Sequence, residues 1–594
     1  MFSVCAIWAQ DKVIADDSLQ LVYRNIGRFE PIQKEPYFDA NSFRRYRPLP
    51  NQLSAFARSG NNGLPSHSYR FSMQDWNSNS VLGGFQPLLF TKDSLRFYAT
   101  SRPFTQLSFV SGSKKEQQFS IFHTQNLGEG MNLAFNYRRI NTAGFYIRQL
   151  ATHTQFNATV SLKSRDQRFT SDLYYLINDL ENQENGGVVL SNQESETDNT
   201  ILLNINLRNA QNQSKTQNWG AKSAFDLFYI DTTKNSLFSV SHEFNWLKVY
   251  RKYSDNLSDS PDFYETSIFD ELNSNDSSFT QTISNEVYGN ILGNKIQVGF
   301  KNEQLQWFQN YLIDEQASSN FLLANANLIA LGIDFSTSFE KGISGFHENE
   351  LDWKLSASVR EIKSFQLKLY TRASKKQPDY LIANQRANHN YYNTNFNTSN
   401  QLQIGGTIRQ EEYQFSIDLN YRLLNDVVYL DSNQIAQQEG DEISVLQVNI
   451  RKNFRFLKHF KLNNHLQIQA ISNTSIVPLP ALTSFHSLYY ENDFFKNSLN
   501  VQLGSDVAYI GEYNGYGYSP SLAQFHLRNE NAGMLGDIIQ LDVFVSLRIL
   551  KSARIFAKLE NITGKPFSED SYRIENYPVP GQVLKMGLSW RMLN

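Results

Sequence analysis

The stretch Leu541-Asp-Val-Phe-Val-Ser-Leu-Arg-Ile549 reads as one strand between two environments. Leu541, Val543, Val545, Leu547 and Ile549 fall on one face, with Asp542, Ser546 and Arg548 on the other, because successive side chains of an extended chain point to opposite sides. About 9 to 11 tilted residues of this kind cross the hydrocarbon core of a bilayer. The alternation recurs upstream. Leu133, Phe135 and Tyr137 interleave with Asn132, Asn136 and Arg138, and Phe156, Ala158, Val160 and Leu162 with Asn157, Thr159, Ser161 and Lys163. Leu203, Ile205 and Leu207 alternate with Asn204, Asn206 and Arg208, and Val448, Ile450, Phe454 and Phe456 with Asn449, Arg451, Asn453 and Arg455.

Composition agrees with a wall that is apolar outside and polar inside. The 594 residues include 43 Phe, 30 Tyr and 7 Trp, yet only 19% are charged, against about 25% in an ordinary soluble domain. Asn, Gln, Ser and Thr take the place of the missing charges, and the mean hydropathy is −0.46. Beyond Ala9 the sequence has no run of about 18 apolar residues, which excludes a helical membrane protein. A net charge of −3 without a polybasic run argues against nucleic acid as a partner.

The single cysteine, Cys5, lies in the apolar stretch Phe2-Ser-Val-Cys-Ala-Ile-Trp-Ala9. Residues 1–9 read as the remnant of a secretory signal peptide lacking its basic start, with cleavage after Ala9. Val4 disfavours a lipidated Cys5, and a buried first strand is the plainer alternative. Residues 10–90 alternate poorly and carry Pro31, Pro36, Pro48, Pro50 and Pro65. They form an irregular N-terminal segment, periplasmic or folded into the lumen. It is short and irregular for the plug domain of an energised TonB-dependent receptor.

Residues 91–594 then form the barrel. The polar stretches Asn178–Thr200, Arg251–Ser278 and Lys375–Asn400 read as extracellular loops, and tight turns such as Lys551-Ser552 as the other end. The fold class is all-β, a single-chain antiparallel transmembrane β-barrel. At roughly 28 residues per strand and connection, about 16 to 18 strands are expected, a size that leaves an aqueous channel.

Catalytic signatures are missing from the sequence. There is no His-Glu-x-x-His pair, Gly342-Ile-Ser-Gly345 is not a nucleophile elbow, and no glycine-rich run ends in Gly-Lys-Ser/Thr. No enzyme activity and no cofactor are therefore expected. The acidic run Asp255, Asp259, Asp262, Glu265, Asp270, Glu271 and Asp276 lacks the order and glycine of a calcium loop, so a solvated loop is the better reading. Arg138, Arg208, Arg451 and Arg548 are candidate pore-lining residues, with anchors paired to carboxylates as the alternative. The pairs Tyr174-Tyr175, Tyr391-Tyr392 and Tyr489-Tyr490, with Trp246 and Tyr250, suit interfacial girdles. Tyr509 to Tyr518 suits a girdle-proximal turn, or a platform on which a sugar stacks.

Taken together, Phe104-Thr-Gln-Leu-Ser-Phe109, Gly112-Ser-Lys-Lys-Glu-Gln-Gln-Phe119, His123-Thr-Gln-Asn126, Leu133-Ala-Phe-Asn-Tyr137, Gly144-Phe-Tyr-Ile-Arg-Gln149 and Asn185-Gly-Gly187 resemble the β-barrel porin family of Bacteroidota. Lys585-Met-Gly-Leu-Ser-Trp-Arg-Met592 resembles a barrel-assembly signal, carried by Gly587, Trp590 and Met592, although the chain runs on to Asn594 rather than ending on an aromatic residue. Ile555–Lys565 and Tyr577–Gly581 are similar to the last hairpin of TonB-dependent receptors. The resemblance implies a Gram-negative outer-membrane porin passing small hydrophilic solutes. Its partners would be outer-membrane lipid and lipopolysaccharide, the barrel-assembly machinery, and further copies of itself. A substrate-specific channel for oligosaccharides or hydrophobic compounds, and a non-conducting adhesive barrel, are the alternatives.

Overall fold

The structure, a computed structural model, describes residues 21–26, 33–34, 43–45, 55–72, 81–189, 203–229, 236–259, 263–362, 364–550, 552–564 and 572–593. Residues 1–9, and with them Cys5 and the cleavage position, lie outside the described residues. The alternating segments close into an antiparallel barrel of 22 strands, beginning at Phe104–Gly112 and ending at Val583–Leu593. The last strand pairs back onto the first, with Gly587 opposite Val110 and Trp590 opposite Leu107, so the sheet has no free edge. Outward positions are apolar and uncovered, Leu503 at 60% exposure and Ile539 at 63%, as lipid contact requires. No helix among the described residues is long and apolar enough to cross a membrane.

Four of the five alternating segments are wall strands, within Met131–Thr142, Ala151–Lys163, Ile443–Phe456 and Ile538–Ile549. The fifth is corrected. Leu203 to Arg208 lies in a loop, where only Asn204–Ile205 pair, with Val188–Val189. Leu203 packs with Phe145, Tyr146 and Val583, and Leu207 with Tyr253, so a small loop core produces the same alternation that a wall strand does.

The strand count of 16 to 18 is also corrected, to 22. Connections at one end are as tight as 129–130 and 331–332, which brings the repeat to about 22 residues. The other end carries the long connections 184–210, 257–272, 377–398, 426–442, 511–537 and 561–582. Short turns mark the periplasmic end of such barrels and long loops the extracellular end. The three polar stretches named from sequence therefore share the extracellular end, although strands Phe169–Gln183, Ser236–Asn256 and Asn273–Ile291 extend into them.

The long loops form hairpins of their own, including Tyr516–Ser519 with Gln524–Leu527 and Val427–Leu430 with Ala436–Glu439. These fold inward. Tyr516 joins Leu424, Val427, Ile443 and Val477 around Phe71, and Tyr518 packs with Tyr69, Tyr513 and Tyr577. Tyr516 and Tyr518 therefore belong to a loop core and to no lipid girdle. Of the adjacent pairs, Tyr175 faces lipid at 38% exposure while Tyr174 turns inward and donates to Asn245 Oδ1 at 2.5 Å. Neighbours on a strand cannot share a face.

Candidate functional site

The inner wall is built of short amides, hydroxyls and charges, and the N-terminal segment lies against it. Leu21–Arg24 pairs with Phe97–Thr100, Phe56–Arg58 with Ser66–Ser68, and a 3-10 helix spans Gly83–Leu88. The barrel wall accordingly starts at Phe104 and not at 91, because 97–100 belongs to the lumen sheet. Much of this irregular backbone has no strand beside it, so wall amides satisfy it instead. Asn126 Nδ2 donates to the Thr100 carbonyl at 2.7 Å, Gln155 Nε2 to Leu88 at 2.9 Å, Asn182 Nδ2 to Gly63 at 2.9 Å and Gln469 Nε2 to Tyr69 at 2.8 Å. Asn178 closes both sides of Phe90, accepting its N–H at 2.8 Å and donating to its carbonyl at 3.0 Å. Gly63 adopts φ +96 here, and a Cβ would stand 3.1 Å from that of Ala151, so the approach needs glycine.

Charge fixes the segment at several depths. Arg24 makes a two-bond contact with Asp172, at 2.5 and 2.6 Å. Arg44 pairs with Asp506, Arg70 with Asp418 at 3.1 Å, and Lys92 with Glu243 at 2.5 Å. Each cation comes from the segment and each carboxylate from the wall. Around the barrel seam the pairing continues within the wall. Lys558 lies 2.7 Å from Asp542 and 3.2 Å from Glu560, and Lys585 is 3.1 Å from both Glu560 and Glu116.

Cavities remain among the described residues, and two of them bear on function. One, of about 640 Å³, lies between Gln86 and Asp93 of the segment and a wall that carries Lys301, Glu303, Glu340, His347 and Arg372. The other, of about 150 Å³, sits at the extracellular end between the segment and the inturned loops. Beside it, burial lowers the His67 pKa to about 4, and the ring is met edge-on by Tyr516 and Phe525. Nearby, burial pushes the Glu184 carboxyl up to about 7, although Asn212 and Tyr518 donate to it.

Arg138, Arg451 and Arg548 stand on inward positions of three separate strands. Arg138 donates to Gln155 and to the Leu88 carbonyl and lies over the Phe90 ring, so it holds the segment. Arg451 is exposed within the lumen, and Arg548 is 3.4 Å from Asp493 near the periplasmic end. Arg208 lies outside the wall, exposed in the 184–210 loop. In the closing strand, Trp590 faces outward at 52% exposure, while Gly587 leaves room for the Phe556 ring, which a Cβ would meet at 2.3 Å. Asp270 and Asp276 of the acidic run accept backbone N–H groups, from Leu272 and Asn273 and from Asn388. In Asn185-Gly186-Gly187 both glycines have positive φ, and Gly187 abuts Asn576 of the last loop.

Sequence reasoning left the N-terminal segment's position open and did not find the carboxylates that hold it. A signal existed. Asp172, Asp418, Asp506 and Glu243 sit on polar faces of long strands, where an unpaired buried carboxylate is costly, and the proline-rich segment supplies arginines.

The fold is similar to that of the copper transporter OprC, with a TM-score of 0.65 at 10% identity over 98% of this chain and 99% of that one. It is also similar to the ferric enterobactin receptor PfeA from Pseudomonas aeruginosa, in a mutant form with enterobactin bound (0.61, 12%, 94% and 97%). A further similar structure is the FrpB iron transporter from Neisseria meningitidis (0.57, 9%, 83% and 82%). At these identities the likeness is one of fold. A comparison with curated proteins gives no match. The profile of the family described as Putative porin matches residues 36–594, which takes in most of the lumen segment as well as the whole wall. The chain is a large barrel of the outer-membrane channel and transporter type, and it belongs to the Putative porin family.

Proposed function

We propose that the protein is a solute transporter of the cell outer membrane whose lumen is closed at rest by its own N-terminal segment. One observation carries this: amides and carboxylates lining the wall are engaged by residues 24–100 at the periplasmic end, at mid-depth and beneath the extracellular loops. Passage requires that segment to shift or leave, and the wall polar groups then face water. Lipid and lipopolysaccharide surround the apolar belt, and the barrel-assembly machinery engages the closing strand. The reading assigns passage of small solutes without chemistry on them.

A second reading, passive diffusion of small hydrophilic solutes, draws on the 640 Å³ cavity, whose charged lining would suit ions and small polar molecules. Single-channel recording of the full-length protein in a planar bilayer separates the two. A closed transporter gives no ohmic steps at rest, and gives them when the pairs holding the segment are removed. Large steady steps from the unmodified chain would overturn the first reading in favour of the second.

A further inference from the structure

The 150 Å³ cavity at the extracellular end has a composition unlike that of the larger one. In the larger cavity carboxylates and cations line the same space. Here, among the described lining residues, there is no Asp or Glu, while Arg70 and Arg251 are present. Such a lining gives a cationic ligand no carboxylate to pair with, since the Asp418 carboxylate is engaged by Arg70.

Rings and amides share the surface. Phe71, Tyr429, Tyr516 and Phe525 line it with rings, and Gln86, Gln309 and Gln385 line it with amides. The Gln309 amide is held in place, accepting the Arg386 N–H at 2.7 Å and donating to Gln385 Oε1 at 3.3 Å. Ser66 Oγ, His67 Nε2 and Arg251 Nε are buried and make no hydrogen bond among the described residues. Buried polar atoms are seldom left so, and these three belong to residues that line one cavity. The His67 Nδ1 faces the Ser68 carbonyl at 3.2 Å, which assigns the ring proton to Nδ1 and makes Nε2 an acceptor.

The volume is of the order that holds a single six-membered ring. A pyranose presents a C–H face to aromatic side chains and a rim of hydroxyls that both donate and accept. That pattern fits the alternation of rings with Gln and Ser better than a purely apolar ring would, since an apolar ring gives Ser66 Oγ and His67 Nε2 no partner.

We propose that this cavity binds one pyranose ring of a neutral or acidic saccharide, held between the N-terminal segment and the loops 377–398, 426–442 and 511–537. The proposal rests on the transporter reading for its purpose, and the site stands on its own lining. Because the ring would touch Phe71 of the segment and Phe525 of a loop together, binding couples the outer loops to the closure.

The test is calorimetric titration of the full-length protein in detergent with glucose, galactose, glucuronate and maltose, and with phenol and benzylamine for comparison. At least one saccharide binds, and benzylamine does not. Phe525→Ala and Gln385→Ala each weaken that binding about tenfold or more, while heat-modifiable migration shows the barrel still folded. Ser66→Ala, a smaller change in the segment, weakens it without touching the loops. If none of the saccharides binds, or if phenol binds in their place, the proposal falls, whatever the bilayer recordings show. If a saccharide binds and the three variants leave its affinity unchanged, the proposal falls as well. Steady conductance from a chain whose cavity still binds sugar would overturn the transporter reading and leave the site intact.

Discussion

Replacing Asp172 by Asn tests the closure at its best-defined contact. The Asp172 side chain is fully buried and Arg24 is 9% exposed, so solvent cannot take over the lost charge. Removing one partner of a buried pair costs about 3–5 kcal/mol, because the other charge is left behind in a poor solvent. Asp172 lies on a wall strand held by neighbours along its whole length, and Arg24 lies on a four-residue strand, so the barrel stays closed while the segment loosens. At about 1.4 kcal/mol per decade, the segment's release should become roughly 100-fold or more easier. Two assays read this: the open probability in planar bilayers, and the rate at which an added protease cuts residues 21–100 of the folded barrel. Arg24→Gln combined with Asp172→Asn should recover much of the loss. If Asp172→Asn leaves both conductance and cleavage at the unmodified level, the pair does not hold the segment and the reasoning is refuted.

Gly587→Ala should lower barrel stability by about 1–3 kcal/mol through the clash with Phe556, measured by the temperature of heat modification, and Phe556→Leu should relieve it. Trp590→Ala, at an outward position beside the seam, should reduce the yield of assembled barrel in cells while leaving the unfolding temperature of purified protein nearly unchanged. The His67 pKa is about 4 when folded and about 6.5 unfolded, so the folded segment binds fewer protons and its stability is lost as pH falls from 6.5 toward 4; His67→Gln should remove that loss in pH-dependent protease cutting. Glu184 has the opposite sign: at about 7 folded and about 4.5 unfolded, it loses stability as pH rises through that window, and Glu184→Gln should remove that loss between pH 4.5 and 7 in the same protease assay.

The wall was legible because alternation is a property of each strand alone. Leu541 to Ile549 announces a lipid face and a polar face whatever its neighbours do. The number of strands was not, since it depends on turns such as 129–130 and 331–332, where a break in the pattern is only two residues long. Leu203 to Leu207 misled for the converse reason: alternation tells which residues are buried together and not whether lipid is on the other side. Among the site residues, the inward position of Arg138 follows from the alternation of its own strand. Its partners, Leu88 and Phe90, lie about fifty residues away in a stretch without period, so nothing local could reveal them. The carboxylates Asp172, Asp418 and Asp506 become meaningful only when Arg24, Arg70 and Arg44 are brought beside them by closure of the whole sheet.

The pairing of Leu21–Arg24 with Phe97–Thr100 has a mechanical consequence. Leu21 lies opposite Thr100 and Arg24 opposite Phe97, and Thr100 is close to the point where the chain joins the wall at the periplasmic mouth. A tension applied upstream of Leu21 from that side loads the ladder from its end, so its hydrogen bonds break in succession, as a zipper opens, and the Arg24 contact with Asp172 is reached last. A pull along the strand axis would have to shear all of them at once. The Leu21 end of the ladder is thus the end nearest the periplasmic mouth, where such a load arrives first.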